Sequence, residues 1–405
     1  MQNDMMRGFP PPDEAQATLA NWRTPPFNRW AFRHVRELVP SATIPRGGRR
    51  FQLGRAIEPI ERLAFEAPDG RGTTVAEIIA GTCTDGMVVL RHGRIVFEAY
   101  EAGHDGHVPH IVFSVSKSLT ALVAGILADR GVLDADAPVT DYLPEAASSA
   151  YGDCTVRHVL DMTVSVTFEE NYLDTTGPFA RYREATGWNP VSDPANPQDL
   201  RSFLLTLERG KRPHGEVVHY VSPNTDLLGW ILERASGVRF ADLMSDLLWQ
   251  PMGAERDAYV TVDRLAAPRT AGGICTSLRD LARVGELMRC RGIANGRQVV
   301  PGWWIDDILT NGDPQAWATS DTNALLPDGS YRSLWPNGSY RSLWYVTGNA
   351  HGAYYAFGIH GQWIYVDPPS GVVIAKQSSW PVPLDDAMER LHFAGFDAIA
   401  RALAE

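Results

Sequence analysis

A serine and a lysine at the start of a long apolar helix constrain this chain more than any other feature. In HIVFSVSKSLTALVAGILADRG, residues 110–131, Ser114 and Lys117 stand immediately before an apolar run that ends at Gly131. The residues that share one face at helical spacing are Leu119, Leu122, Val123, Ile126 and Leu127. A surface helix would place only a capping residue there. The pattern therefore predicts a helix with one apolar face and a Ser–Lys pair at its N-terminus.

The Ser–Lys spacing has a direct chemical consequence. Residues three positions apart lie on the same helical face, so Lys117 can reach the hydroxyl of Ser114. The unpaired amides and the dipole at a helix N-terminus stabilise negative charge, and the Ser114 N–H can donate to an oxyanion. A desolvated lysine can lose its proton near neutral pH, whereas an arginine cannot. The simpler alternative is that Ser114 caps the helix and Lys117 is solvated.

Lysine is rare in this chain, and a tyrosine provides a second motif. The lysines are Lys117, Lys211 and Lys376. About one hundred residues after the Ser–Lys pair, HYVSPNTDLLGWILERASG places Tyr220 just before another helix that starts near Asn224. Together, Ser114, Lys117 and Tyr220 are the predicted catalytic group.

The pattern of strands and helices predicts three regions. Residues 1–50 form an irregular N-terminal arm, residues 51–113 and 256–405 form an α/β sheet domain, and residues 114–255 form an inserted helical domain. A hairpin turns at His92-Gly93, and strand-like runs return in GIHGQWIYVDP and GVVIAKQSSW before a last helix from Asp385 to Leu403. We therefore expect a sheet built from both ends of the chain.

Longer segments carry a family resemblance. FSVSKSL, VLDMTVSVTFEENYLD, NTDLLGWILERASG and GIHGQWIYVDPPSGVVIAKQSSWP resemble the 6-aminohexanoate-dimer hydrolases, which cleave nylon oligomers. These belong to the class C and family VIII esterase branch of the serine β-lactamase and penicillin-binding-protein superfamily. The resemblance spans about residues 20–385. It implies an α/β (α+β) fold of the β-lactamase type, with an antiparallel sheet flanked by helices, an inserted mainly helical domain and no cofactor.

The resemblance assigns roles to the catalytic group. Ser114 would be the acylated nucleophile, Lys117 would accept its proton, and Tyr220 would pass a proton to the leaving group. A tyrosine beside a lysine is expected to have a pKa well below its usual value. The second oxyanion amide, after that of Ser114, would be the N–H of Ile359 in FGIHGQ.

The same resemblance indicates substrate contacts. Tyr172 in EENYLD would close over the substrate. Trp188 would line the pocket or belong to the core, and His360 would either face the site or be a structural histidine of the sheet. Arg183, in the loop that follows Tyr172, would repel the ammonium end of a nylon dimer, and Ala271 offers no polar side chain.

Departures from the superfamily pattern narrow the reaction. The Lys-Thr-Gly signature of β-lactamases is replaced by YAFGI, and Ser222 stands where class C enzymes use an asparagine. We therefore expect hydrolysis of short-chain carboxylic esters, with slower cleavage of linear amides such as 6-aminohexanoate dimer. A D-amino-acid peptidase, a weak β-lactamase and a non-catalytic sensor that keeps a long-lived acyl adduct remain alternatives.

Charge and composition exclude other classes of function. The net charge of -11 and the lack of a basic block argue against nucleic-acid or anionic-membrane partners, so a small-molecule ester or amide is expected. The N-terminus resembles no secretory signal, and the longest apolar run, 119–128, is too short for a membrane span, so a cytoplasmic location is expected. The scattered cysteines and the histidines of HDGHVPH predict no metal site. The sequence leaves the oligomeric state open, and a homodimer is one possibility.

A tandem repeat, PDGSYRSLWPNGSYRSLW at 327–344, is expected to lengthen a loop or hairpin near the sheet.

Overall fold

The computed structural model describes residues 5–100, 103–320 and 335–404. The helices are α1 (Asn28–Ala31), α2 (Val75–Gly81), α3 (Val115–Asp129), α4 (Val139–Tyr142), α5 (Val156–Leu160), α6 (Pro178–Ala185), α7 (Leu200–Leu205), α8 (Ser222–Ser236), α9 (Phe240–Met244), α10 (Leu278–Arg289), α11 (Gly302–Thr310), α12 (Pro314–Ala318) and α13 (Asp386–Ala404). The strands are β1 (Ser41–Ile44), β2 (Gly54–Arg55), β3 (Ala64–Glu66), β4 (Gly72–Thr74), β5 (Thr84–Arg91), β6 (Arg94–Tyr100), β7 (His110–Ile111), β8 (Ala258–Thr261), β9 (Ile274–Thr276), β10 (Ile293–Ala294), β11 (Arg297–Gln298), β12 (Ser339–Arg341), β13 (Trp344–Val346), β14 (Tyr354–Gly358), β15 (Gln362–Asp367) and β16 (Val372–Ser378).

The main sheet combines strands from both ends of the chain, as expected. Its order is β12-β13-β14-β15-β16-β5-β6-β2, antiparallel throughout except for the pairing of β2 with β6. The hairpin at His92-Gly93 is confirmed, and both turn residues have positive φ, 47° and 74°. That conformation matches the right-handed twist of the two flanking strands. Helices α2 and α13 pack against each other and against this sheet.

A second sheet brings the N-terminal arm to the helix that carries the Ser–Lys pair. Its order is β1-β8-β9-β7. The arm was expected to be irregular, but its residues Ser41–Ile44 pair with Ala258–Thr261. The four-residue strand is followed by the Pro- and Gly-rich stretch 45–48, which hides its alternation in the sequence. Strand β7 ends three residues before Ser114 and so fixes where α3 begins.

Helix α3 is buried on every side, whereas the sequence predicted one apolar face. All residues from Val115 to Leu127 are buried. The helix contacts strands β14 and β15 on one side and helices α8 and α9 on another. A helix between a sheet and a helical layer has no solvent face, so its polar residues must find partners inside the protein.

The other predicted helices form with shifted ends. Helix α8 begins at Ser222, two positions before the predicted start, and ends at Ser236, because the left-handed φ of 70° at Gly237 terminates it. After α8, the short helix α9 changes at Met244 into a single π-turn over residues 245–249. Helix α7 begins only at Leu200, where Asp199 caps it by accepting from the Ser202 amide.

No helix in the described ranges is both long and apolar enough to cross a bilayer. No group of three histidine, cysteine or acidic side chains in those ranges is arranged to hold a metal ion.

Candidate active site

Ser114 occupies the N-cap position of α3, but its hydroxyl does not cap the helix. The residue before it, Phe113, has a φ of 42°, a value uncommon for a residue with a Cβ. This backbone turn leads from β7 into α3 at Ser114. The simple capping interpretation of Ser114 is therefore wrong, because the hydroxyl is directed to side chains instead.

Lys117 is buried and holds three hydrogen-bond partners. Its Nζ lies 2.9 Å from the Ser114 Oγ, 2.9 Å from the Ser222 Oγ and 2.9 Å from the backbone oxygen of Ala271. Only 1% of the residue is exposed. The solvated interpretation of Lys117 is therefore also wrong. Three elements of the fold position this nitrogen, since its partners come from the start of α3, the start of α8 and the segment before β9.

Glu170 determines the direction of these hydrogen bonds. The Ser222 hydroxyl donates to Glu170 Oε1 over 2.7 Å, and the Ser222 amide donates to the same carboxylate. Ser222 must therefore accept its hydrogen bond from Lys117, and the Ala271 carbonyl can only accept. A neutral Lys117 would use both of its N–H bonds on these two partners. Its lone pair would then be directed at Ser114, in the position needed to accept the hydroxyl proton.

The environment of Lys117 favours the neutral amine. Burial lowers the pKa of Lys117 to about 8, and the charge of Arg269 lowers it further, while the carboxylates of Glu170 and Asp226 act in the opposite direction. Desolvation destabilises the ammonium because it removes the water that would otherwise solvate the charge. A substantial fraction of the lysine is therefore unprotonated at a mildly alkaline pH.

Tyr220 reaches the same serine, but with a raised pKa. Its phenol shares hydrogen bonds with Ser114 and Tyr345, while burial, the largest cause, and the charge of Glu170 raise its pKa above the usual value. The Lys117 Nζ lies over the ring face, 4.9 Å from its centroid. The expectation of a lowered pKa was wrong because the burial of the phenol outweighs any effect of the nearby lysine charge. Tyr220 is thus a neutral phenol, able to donate a proton.

Two amides meet beside the serine. The turn Ile359–Gly361 joins β14 to β15, so Ile359 lies just after a strand rather than within one. A Cβ at Gly358 would lie 2.5 Å from the Val112 oxygen and 3.0 Å from the Ser114 nitrogen, so only glycine lets this strand approach α3 closely. In the described ranges, neither the Ser114 nor the Ile359 amide donates to a protein acceptor. Both remain candidates for the oxyanion hole.

A cleft opens beside Ser114 and brings most predicted contacts together. Its lining residues are Arg23, Phe113, Ser114, Glu170, Tyr172, Phe179, Arg183, Trp188, Ser222, Arg269, Ala271, Gly272 and Ile359. Tyr172 donates its hydroxyl to Glu170 over 2.7 Å. Trp188 belongs to both cleft and core, since it is 4% exposed and bonds to Thr261 through its indole nitrogen. The role of each residue toward a substrate stays a prediction.

His360 is not among the residues that line the cleft. It occupies the β14–β15 turn with a φ of 61°, and its Nδ1 lies 2.7 Å from the Trp380 oxygen. Its ring packs against Phe32 and Phe113, with centroids 5.1 and 5.3 Å away. Burial lowers the pKa of His360 to about 4. Of the two interpretations left open, these contacts favour the structural histidine, and the cleft lining gives no support to a substrate-facing role.

A buried ion pair supports the back of the cleft. Arg269 donates to Asp226 and to the hydroxyl of Tyr182. The other oxygen of Asp226 accepts from the Ala271 amide over 2.8 Å, which fixes the carbonyl that holds Lys117. Removing one member would leave an uncompensated buried charge.

The repeated segment also reaches this region. The first copy, 327–335, lies outside the described residues except for Trp335. The second copy contributes β12 and the start of β13, so it extends a hairpin at the edge of the main sheet. Tyr340 from this copy is 2% exposed and packs edge-on against Tyr220, with centroids 6.3 Å apart. The second copy of the tandem repeat therefore helps to bury Tyr220.

The main sheet, the buried helix α3 and the Ser–Lys pair at its start together define a β-lactamase-like fold. This confirms the predicted fold class. The chain belongs to the beta-lactamase family, whose model matches residues 74–396. It is 38% identical over 378 residues to 6-aminohexanoate-dimer hydrolase from Paenarthrobacter ureafaciens, covering 93% of this chain and 91% of that protein. The relatives in this family include hydrolases and esterases by name.

Solved structures agree with this fold. A Bacillus anthracis protein assigned by name to the 6-aminohexanoate-dimer hydrolases superposes with a TM-score of 0.86 at 24% identity, covering 97% of this chain and 98% of that chain. A family VIII carboxylesterase superposes with a TM-score of 0.57 at 16% identity, covering 80% and 95%. At these identities the structures establish the fold alone.

Sequence reasoning missed three of the four charged residues that line the cleft. Glu170 stands two positions before Tyr172 in EENYLD, and a carboxylate so close to a predicted site tyrosine was an available signal. Arg269 precedes Ala271 by two positions and could have been suspected in the same way. Arg23 belongs to the arm, whose path to the cleft no local pattern indicates.

Proposed function

We propose that this protein hydrolyses short-chain carboxylic esters, and linear amides more slowly, through an acyl-enzyme on Ser114. The observation that carries the proposal is the position of the Lys117 nitrogen, 2.9 Å from the Ser114 oxygen and held by two further acceptors. A buried amine with its lone pair directed at a hydroxyl is a general base for a serine nucleophile.

The acylation step follows from this geometry. The Ser114 oxygen attacks the carbonyl carbon while its proton passes to Lys117. The oxyanion of the tetrahedral intermediate would be bound by the amides of Ser114 and Ile359, helped by the positive end of α3. On collapse, the bond to the leaving group breaks and Tyr220 gives that group a proton, which Lys117 then restores to the phenol. Water, deprotonated through the same pair, releases the acid and regenerates Ser114.

Esters and amides differ in how much they need the proton from Tyr220. An alkoxide or phenolate leaves more readily than an amide anion, which must be protonated before the C–N bond breaks. Amide hydrolysis therefore depends more heavily on the phenol. The charge of Arg183 at the cleft also disfavours the ammonium group of 6-aminohexanoate dimer.

The experiment is a rate assay of wild type and Ser114→Ala on p-nitrophenyl butyrate and on the linear 6-aminohexanoate dimer. We expect Ser114-dependent turnover of the ester and slow or absent turnover of the dimer. Equal efficiency on both substrates would contradict the ester preference. Ring opening of a β-lactam at a higher efficiency than the ester would favour the β-lactamase alternative instead.

The Tyr220→Phe variant tests the proton-donor role. Removing the phenol should lower kcat for the linear amide by about 100-fold, but that for p-nitrophenyl butyrate by less than about tenfold, because nitrophenolate leaves unprotonated. The same preparation is assayed on both substrates, so that a general loss of folded enzyme would appear as equal losses. Equal losses would count against Tyr220 as the acid.

The pH profile tests the base. Because burial lowers the pKa of Lys117 to about 8, protonation should remove activity below that pH. We expect kcat/KM for the uncharged p-nitrophenyl butyrate to rise about tenfold per pH unit up to about pH 8 and then to level off. The substrate does not titrate, so the profile reports the free enzyme. A flat profile between about pH 6 and pH 9 would contradict a titrating base.

A further inference from the structure

Three arginines line the cleft beside Ser114, and only one of them bonds to a carboxylate. Arg269 is paired with Asp226, so its charge is balanced within the protein. Arg23 and Arg183 bond only to neutral acceptors, and no carboxylate of the described residues lies within ion-pairing distance of either guanidinium. The cleft therefore contains two guanidinium groups with no carboxylate in direct contact, while the carboxylates of Asp174 and Glu170 act on Arg183 from a longer distance.

Arg23 projects from the N-terminal arm into this cleft. Its guanidinium donates to the Trp188 carbonyl over 2.9 Å and to the side-chain oxygen of Asn189 over 2.5 Å. It lies over the ring of Trp22, 4.8 Å from the centroid. Burial, followed by the charges of Arg183 and Arg269, lowers the pKa of Arg23 to about 9. The three cations are thus close enough to repel one another.

Arg183, in helix α6, uses only part of its hydrogen-bonding capacity. Its terminal nitrogens donate to the carbonyl oxygens of Tyr172 and Asp174. Its Nε is buried and has no hydrogen-bond partner in the described ranges. A buried N–H without an acceptor is costly, so a ligand oxygen at this position would be favourable.

Glu170 is the acidic residue in the cleft lining, and hydrogen bonds within the protein already occupy its carboxylate oxygens. Its oxygens accept from the amide and hydroxyl of Ser222 and from the hydroxyl of Tyr172. No guanidinium bonds to it within the described part of the chain. The cleft therefore has an excess of positive charge at the end formed by Arg23 and Arg183, away from the hydrogen bonds that position Lys117.

We propose that the acyl group of the substrate carries a carboxylate at its far end, bound by Arg23 and Arg183. The substrates would then be half-esters or half-amides of linear dicarboxylic acids. Guanidinium groups bind carboxylates through paired, charge-assisted hydrogen bonds. The proposal rests on the function proposed above, and it names the substrate class of that same site.

The carboxylate belongs to the acyl group rather than to the leaving group. Tyr220, which protonates the leaving group in the proposed reaction, is absent from the residues that line this cleft. Ser114 and Ile359, which contact the reacting carbonyl, do line it. The leaving group therefore lies on the Tyr220 side of Ser114, and the acyl chain extends toward the arginines.

The test compares three p-nitrophenyl esters that share one leaving group. Their acyl groups are the anionic adipate half-acid, the neutral adipic acid monoamide and the cationic 6-aminohexanoate. We expect kcat/KM for the anionic ester to exceed that for the neutral one by about tenfold or more, because the charged hydrogen bond is the stronger one. The cationic ester should be the poorest, and Ser114→Ala gives the background rate.

The outcomes separate this proposal from the proposed function. Ser114-dependent hydrolysis of the neutral ester, with an anionic ester that is no better, would overturn the carboxylate site and leave the hydrolase intact. An absence of Ser114-dependent hydrolysis for all three esters would overturn the proposed function itself.

Charge reversal provides a gain of function that misfolded protein cannot show. Arg183→Glu should invert the order, so that the cationic 6-aminohexanoate ester becomes better than the anionic one. Arg181→Glu is the matched control, since Arg181 is an exposed residue of the same helix and is absent from the cleft lining. It should keep the wild-type order. If Arg183→Glu left the order of the three esters unchanged, the assignment to Arg183 would be overturned. If that variant does not fold, Arg23→Gln should still lower the ratio of kcat/KM for the anionic ester to that for the neutral ester.

Discussion

Ser114→Ala is expected to reduce ester hydrolysis by at least about 1,000-fold, because the substitution removes the hydroxyl that forms the acyl-enzyme in the proposed reaction. The residual rate would come from binding and from the oxyanion amides. The measurement is kcat for p-nitrophenyl butyrate, with binding of a non-hydrolysable substrate analogue recorded on the same protein. Loss of turnover with analogue binding preserved is the predicted combination.

The fold should tolerate this substitution. The Ser114 hydroxyl does not cap α3, so its removal leaves the helix start unchanged. Lys117 keeps its hydrogen bonds to Ser222 and to the Ala271 carbonyl. We expect the free energy of unfolding to change by less than about 1 kcal/mol. A variant that retained ester turnover would mean that a different residue is the nucleophile.

Lys117→Arg is expected to lower kcat/KM by about 100-fold or more, although it preserves the positive charge. A guanidinium stays protonated at any pH the protein survives, so it cannot accept the Ser114 proton. The larger head group must also fit a site where the lysine is 1% exposed. The measurement is the rate on p-nitrophenyl butyrate across the pH range, in which the rise near about pH 8 should disappear.

Lys211→Arg is the matched control for this change. Lys211 is exposed and lies in the loop before Tyr220, so the same substitution there should leave the rate unchanged. An active Lys117→Arg enzyme would show that the lysine serves only as a positive charge, and the general-base role would have to be abandoned.

The start of α3 was predictable because local patterns suffice there. A Ser-x-x-Lys spacing on a helix brings the two side chains together whatever the rest of the fold, and Gly131 marks where the helix stops. The hairpin at His92-Gly93 is likewise local. Tyr220 was found from its position before an amphipathic helix and from the family resemblance, which the match to the beta-lactamase family confirms.

Features that depend on tertiary packing were not predictable. Arg23 and Arg183 are 160 residues apart in the sequence. Only the packing of the N-terminal arm against the rest of the protein brings Arg23 into the cleft. The direction of the Tyr220 pKa shift depends on the burial of the phenol, to which Tyr340 contributes, and on the charge of Glu170, neither of which has a sequence signal. The β14–β15 turn was hidden because GIHGQWIYVDP reads as one apolar strand.

Glu170 was only partly predictable from the sequence. Its sequence neighbour Tyr172 was singled out, but the acid itself resembles a solvated loop residue. In the structure it is 4% exposed and determines the hydrogen-bond direction of Ser222. The orientation of the Lys117 lone pair thus depends on a residue from the loop before α6.

Rapid acid quenching followed by peptide mass spectrometry tests the acyl-enzyme most directly. Wild-type protein is mixed with p-nitrophenyl butyrate, quenched within the first turnover and digested. We predict the added mass of one butyryl group on the peptide that contains Ser114, and its disappearance once the substrate is exhausted. A burst of nitrophenol with the butyryl group on another residue, or on none, would contradict the account, and an adduct that never decays would identify a sensor rather than a hydrolase.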